Sequence, residues 1–108
     1  MNYFTQRYDA TISDLETKLG NVIDEGTDFD FEKNGDVLTI EFESGERFII
    51  SPNSPVEQLW VSANYMGLRF NWSDEANDWI HEKDGEPVTL FLSKAISEKV
   101  GKSVSLSS

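Results

Sequence analysis

The sequence predicts an α+β domain, a two-layer sandwich with an N-terminal and a C-terminal helix packed on one face of an antiparallel sheet of about six strands. Three observations predict it. Apolar residues near the N-terminus recur at helical spacing. From Phe29 the period changes to two, in short segments separated by turn residues. A second helical stripe then follows Pro87. Short connections between the strands imply antiparallel neighbours. At 108 residues the chain is one domain, 1–108. Its expected core runs over about 4–101. The small, polar residues 102–108 are expected to be a frayed tail.

The first stripe is Phe4, Tyr8, Ile12, Leu15, Leu19 and Val22 or Ile23, one face of an amphipathic helix. Gly20 and Gly26 weaken its end, so the helix is expected to stop between Gly20 and Glu25. In Asp28-Phe29-Asp30-Phe31-Glu32 the phenylalanines point one way and the acids the other. A one-residue slip would bury three charges, so the register is strongly specified. Asn34-Gly35 predicts a type I′ hairpin turn. Leu38, Ile40 and Phe42 define the next strand, Ser44-Gly45 a turn, and "ERFIIS" the return. Pro52 and Pro55 end that strand. In "EQLWVSA", Leu59 and Val61 oppose Trp60 and Ser62. Gly67 is expected in the following turn. Leu68, Phe70 and Trp72 oppose Arg69 and Asn71, and "DWIHE" makes the last strand. Pro87 suits the first turn of the closing helix, whose apolar face is Val88, Phe91, Leu92, Ala95, Ile96 and Val100.

Composition excludes several function classes. The chain has no cysteine, which removes disulfides, thiolate metal sites and a Cys nucleophile. It shows no secretory signal, no transit peptide and no apolar run long enough for a membrane span. With no targeting segment read, the expected compartment is the cytoplasm. The net charge of −11 argues against nucleic acid and anionic membranes. It favours a cation or a basic protein as partner. The charge is uneven. Residues 1–43 hold eleven acids and three bases, net −8, and residues 44–108 hold nine acids and six bases, net −3.

The densest acid stretch is "DEGTDFDFE", with Asp24, Glu25, Asp28, Asp30 and Glu32 and no Lys or Arg. A charge run is usually a solvated face. Here Asp28, Asp30 and Glu32 share one strand face, with neighbours ~6.5–7 Å apart. Such hard oxygen donors suit Fe²⁺, Fe³⁺, Mn²⁺, Ca²⁺ or Mg²⁺. The spacing matches no EF-hand, so any site is open, water-rich and weak. His81, the only histidine, is read as structural, with an added metal ligand as the lesser reading. Trp60 falls on the wet face between Gln58 and Ser62. Either a loop covers it or a neighbouring Arg such as Arg69 stacks on it, or it is a binding anchor.

Taken together, "NGDVLTIEFESGERFII", "PVEQLWVSA", "RFNW" and "WIHEKDG" followed by the final helix resemble the bacterial frataxin family of the CyaY type. With the first helix the resemblance covers about Phe4 to Gly101. It implies an α-β sandwich that binds iron weakly through an acidic ridge on the first helix and first strand. The matching positions are Asp14, Glu16, Asp24, Glu25, Asp28, Asp30 and Glu32, with Asp9 at the margin. It implies a bacterial cytoplasmic protein acting in iron–sulfur cluster assembly, docking on the cysteine desulfurase and the scaffold protein. Trp60, Gln58, Ser62, Asp28 and Asp30 would make that contact. The expected state is a monomer that iron can drive to oligomerise. The sequence departs from the family pattern at Ser51-Pro52-Asn53 and at Asn71, both on the sheet face. The rival reading is an acidic interaction module with incidental metal binding. An enzyme ranks below both, since the sequence has no nucleophile motif and no phosphate loop. Weak iron oxidation is the one activity that the clustered carboxylates suggest.

Overall fold

In a computed structural model, which describes residues 3–106, the first stripe forms α1, Tyr3–Asp24. Its buried side chains are Phe4, Tyr8, Ile12, Leu15, Leu19 and Val22. Six strands follow: β1 Phe29–Asn34, β2 Val37–Phe42, β3 Arg47–Asn53, β4 Gln58–Ala63, β5 Met66–Ser73 and β6 Asp78–His81. A single 3₁₀ turn, Ser54–Val56, joins β3 to β4, and α2 spans Val88–Val100. The strands are paired in chain order, every pair antiparallel.

One apolar core unites both layers. Leu38, Ile40, Phe48, Ile50, Leu59, Val61, Phe70 and Trp79 are buried in the same cluster as Leu15 and Leu19 of α1 and Leu92 and Ile96 of α2. The alternate residues of the same strands include exposed Asp30, Glu41, Arg47, Ser62 and Arg69. The two helices therefore cover one sheet face and leave the other open, as the alternation predicts. Polar groups inside are satisfied. The Tyr8 hydroxyl donates to the Asp36 and Ile50 carbonyls, and the Trp79 indole N–H donates to Thr11 Oγ1 at 2.8 Å.

Two turns differ from expectation. Asn34 pairs with Val37, so the central residues of the first hairpin are Gly35 and Asp36, not Asn34 and Gly35. Only Gly35 of these has positive φ (59°), the demand of a type II′ turn, not type I′. In the β4–β5 hairpin Ala63 pairs with Met66. Its turn is Asn64–Tyr65, both left-handed (φ 53° and 64°), and Gly67 belongs to β5. Pro87 precedes the first helical residue of α2 in an extended conformation. Its carbonyl accepts the Phe91 N–H at 2.9 Å.

The tail is not frayed over the residues described. Val104 and Leu106 are buried. Ser97 Oγ accepts the Val104 N–H at 2.8 Å, and Ser93 Oγ accepts the Leu106 N–H at 2.8 Å. Two hydroxyls four residues apart on α2 thus hold an extended segment whose alternate apolar side chains enter the core. Ser107 and Ser108, also in the predicted tail, lie outside the described residues, as do Met1 and Asn2.

Two outcomes follow from this packing. Leu106→Ala should lower unfolding stability by about 2–4 kcal/mol, read as a lower urea midpoint at unchanged slope. The second concerns acid. Glu46 accepts a hydrogen bond from Lys99 Nζ at 2.6 Å, tying the β2–β3 turn to α2. That bond holds the Glu46 carboxyl below its ordinary 4.5. The Glu86 backbone N–H, and then His81, hold Asp84 below its ordinary 3.8. Both folded values lie below the unfolded ones. Their contribution is therefore present above those ordinary values and is lost as pH falls through the folded ones. The Tm of the wild type should fall below about pH 4, and the Glu46→Gln/Asp84→Asn double variant should lack part of that fall.

Candidate metal and partner surface

The pleat that buries Phe29 turns its neighbours outward. Asp28, Asp30 and Glu32 are exposed, as are Asp24 and Glu25 at the end of α1, while Glu16 is half-buried. Among the described residues, no ion pair engages Glu16, Asp24, Glu25, Asp28, Asp30 or Glu32. Asp14 differs, because Lys18 Nζ sits 2.8 Å from its carboxylate one turn along the helix.

The seven acids do not all share one side. At 3.6 residues per turn, Asp14 and Glu16 point about 160° apart. Asp14 and Lys18 line a groove with Trp72, Asp78 and Thr89, on the flank toward α2. Glu25 lines a second groove with Lys18, Lys102 and Val104. The strand acids stand on the open sheet face at the β1 edge. There they meet an acid absent from the sequence-based set: Asp30 lies directly opposite Glu41. Glu41 is opposite Arg47 in turn, whose Nε donates to it at 2.9 Å. A turn centred on Asn34-Gly35 would have paired Asp30 with Thr39. The two-residue shift in pairing is what brings Glu41 to the ridge.

Repulsion between exposed carboxylates at this spacing is under about 1 kcal/mol per pair. Burial of Phe29, Ile40 and Phe42 on the reverse face, each worth about 1.5–3 kcal/mol, outweighs it. The strand can therefore carry like charges without losing its place. Among the described residues, no three Asp, Glu or His side chains converge to hold a metal ion. The donor set is hard oxygen but forms no closed cage. It fits a hydrated, loosely held cation, not a dehydrated one.

Trp60 lies three strands from β1 on the same open face, about 14 Å away by strand spacing. It is half-buried, opposite Ser51 on β3 and Arg69 on β5. The Arg69 guanidinium sits 5.1 Å from its ring centroid, one of the alternatives that the sequence leaves open. Its indole N–H donates to Gln58 Oε1 at 2.9 Å. Gln58, expected at the surface, is instead buried (8% exposed). Its amide nitrogen reaches Asn71 Oδ1 and Glu82 Oε1, each at 3.2 Å. It thus fixes the indole at its ring nitrogen. Ser62 is exposed between Ile49 and Gly67 on adjacent strands. The two departures from the family pattern flank this ring, since Ser51 faces Trp60 and Asn71 bonds to Gln58.

His81 is on β6, at the opposite edge of the sheet from the acids. Its Nδ1 is 2.9 Å from Asp84 Oδ1, and its ring packs 5.2 Å from that of Phe70. These contacts close the turn before α2, in keeping with the structural reading.

Comparison with known proteins agrees with this geometry. The family model "Frataxin-like domain" matches residues 1–102. The chain is 38% identical over 81 residues to the iron-sulfur cluster assembly protein CyaY of Pseudomonas paraeruginosa, covering 75% of each chain. It is 32% identical over 99 residues to the protein of the same name from Pseudomonas aeruginosa, covering 91% of this chain and 92% of that one. Among solved structures, frataxin from Psychromonas ingrahamii superposes with a TM-score of 0.88 at 29% identity over the whole of both chains. The described fold, the sheet face and these matches agree: the chain belongs to the frataxin-like family.

Proposed function

We propose that this chain serves iron–sulfur cluster assembly as an acidic, iron-responsive protein that docks on the cysteine desulfurase and its scaffold partner. The names of its relatives support the process. The observation that carries the mechanism is the unneutralised acid row at the β1 edge, on the same open face as an aromatic anchor. The acids attract a basic protein surface over several ångströms. Fe²⁺ or Fe³⁺, held by carboxylates and water, cancels part of that charge. Metal and partner binding are then linked, each changing the affinity of the other by the same factor. Iron is cargo or signal here and is held weakly. The relatives named are bacterial, which supports a cytoplasmic site of action, and no helix among the described residues is long and apolar enough to cross a membrane.

The second reading is a pure interaction module with incidental metal binding. Trp60, oriented by Gln58 and Arg69 on the same open face as the acids, is the observation that supports it. Iron oxidation by dioxygen ranks below both. It would show as stoichiometric O₂ consumption on adding Fe²⁺, abolished in Asp28→Asn/Asp30→Asn.

Fe²⁺ titration followed by amide spectra should perturb residues 16–32 and Glu41 and leave His81 and Asp84 silent. Shifts centred on His81 would count against the ridge. Affinity for the desulfurase should change with Fe²⁺; no change selects the interaction module. The Asp28→Lys/Asp30→Lys/Glu32→Lys variant should weaken that binding by about tenfold or more, and the loss should shrink at high salt. Its Tm should stay within a few degrees of wild type, because the altered side chains are wet.

A further inference from the structure

One stretch of the β4–β5 hairpin interrupts an otherwise charged surface. Gln58 to Leu68 runs eleven residues without a charge, in a chain where 27% of residues are charged and about three of eleven would be. At its tip Tyr65 is fully exposed and Met66 about half exposed. The tip is also conformationally costly. Tyr65 holds φ 64°, a left-handed conformation disfavoured for any residue with a Cβ and worst for bulky ones. A two-residue turn of this kind is best served by Asn-Gly, and Asn64 already supplies the first half. Burial gives nothing back, because the ring is fully exposed. A single exposed apolar residue is ordinary. An exposed ring in a strained position, with an exposed Met beside it in an eleven-residue stretch without charge, is not explained by the fold.

The same hairpin carries Trp60, five residues before Tyr65, or about 15 Å along the strand. Ile49, exposed on β3, faces Ser62 between them. A protein footprint of standard size, about 800 Å² per partner, spans that distance. A lipid surface fits poorly. The tip has no Lys or Arg, the chain carries −11, and two side chains are too few for stable insertion.

We propose that the Asn64–Met66 tip is a second anchor for the protein partner that covers Trp60, with the Tyr65 ring entering an uncharged cavity of that partner. The proposal rests on the docking reading above and adds a residue and a contact chemistry to it. The test measures thermal stability and affinity for the desulfurase–scaffold pair in wild type, Tyr65→Gly, Tyr65→Phe and Trp60→Ala. Tyr65→Gly should raise Tm by about 3 °C or more through relief of the turn and weaken binding by roughly tenfold. Tyr65→Phe should retain wild-type binding. Higher Tm with unchanged affinity in Tyr65→Gly overturns the tip contact, and a binding loss confined to Trp60→Ala leaves the docking face standing without it. A lower Tm in Tyr65→Gly overturns the strain argument. Wild-type protein that fails to bind overturns both readings. Concentration-dependent self-association in sedimentation that Tyr65→Gly abolishes would assign the tip to a second copy, and that too overturns the proposal.

Discussion

Burial of one face of the sheet sets the direction of every strand side chain. Leu38, Ile40, Phe48, Ile50, Leu59 and Phe70 are all 0% exposed. Each is worth about 1.5–3 kcal/mol against leaving it in water. A strand cannot slip by one residue without giving up several of these and burying its polar alternates. The placement of Asp30, Glu41, Trp60 and Arg69 on the opposite face follows from that constraint, and local bonds such as Arg47 to Glu41 and Gln58 to Trp60 only orient side chains already placed there. The outer surface is specified from inside.

This explains which parts of the molecule were readable from the residues. The stripe from Phe4 to Val22 and the alternation through Phe29, Ile40, Leu59 and Phe70 are repeated signals, and each repetition reinforces the last. The turns carry one signal each, and there sequence and structure differ. Asn34-Gly35 promised the strongest hairpin pair, but the chain used Gly35-Asp36. Asn64-Tyr65 lacks the glycine that marks such a turn, and the nearest glycine, Gly67, lies in β5. The tail gives a weak signal, because Val104 and Leu106 are only two apolar residues in a polar run. What fixes them is a pair of hydroxyls on α2, invisible until that helix is built.

The candidate site divides along the same line. The alternation exposed Asp28, Asp30, Glu32 and Trp60 directly. The helix acids needed three dimensions to separate, since Asp14 and Glu16 are neighbours in sequence and nearly opposite in direction. Glu41 and the buried state of Gln58 depend on cross-strand partners, which a single strand does not declare. The open face is therefore a composite. An acidic edge on β1 attracts, and an oriented indole three strands away is held by Gln58 at its ring nitrogen and Arg69 over its face. Long-range attraction and short-range fit are carried by different strands of one rigid sheet.

The three tryptophans are placed so that the protein reports on itself. Trp79 is sealed in the core, edge-on to Trp72 at 5.4 Å and bonded to Thr11, while Trp60 stands on the open face beside a guanidinium. Emission from the first should follow unfolding, and emission from the last should follow contact with other molecules. Set beside a Trp60→Phe variant, native fluorescence divides into a fold signal and a contact signal, with no added dye.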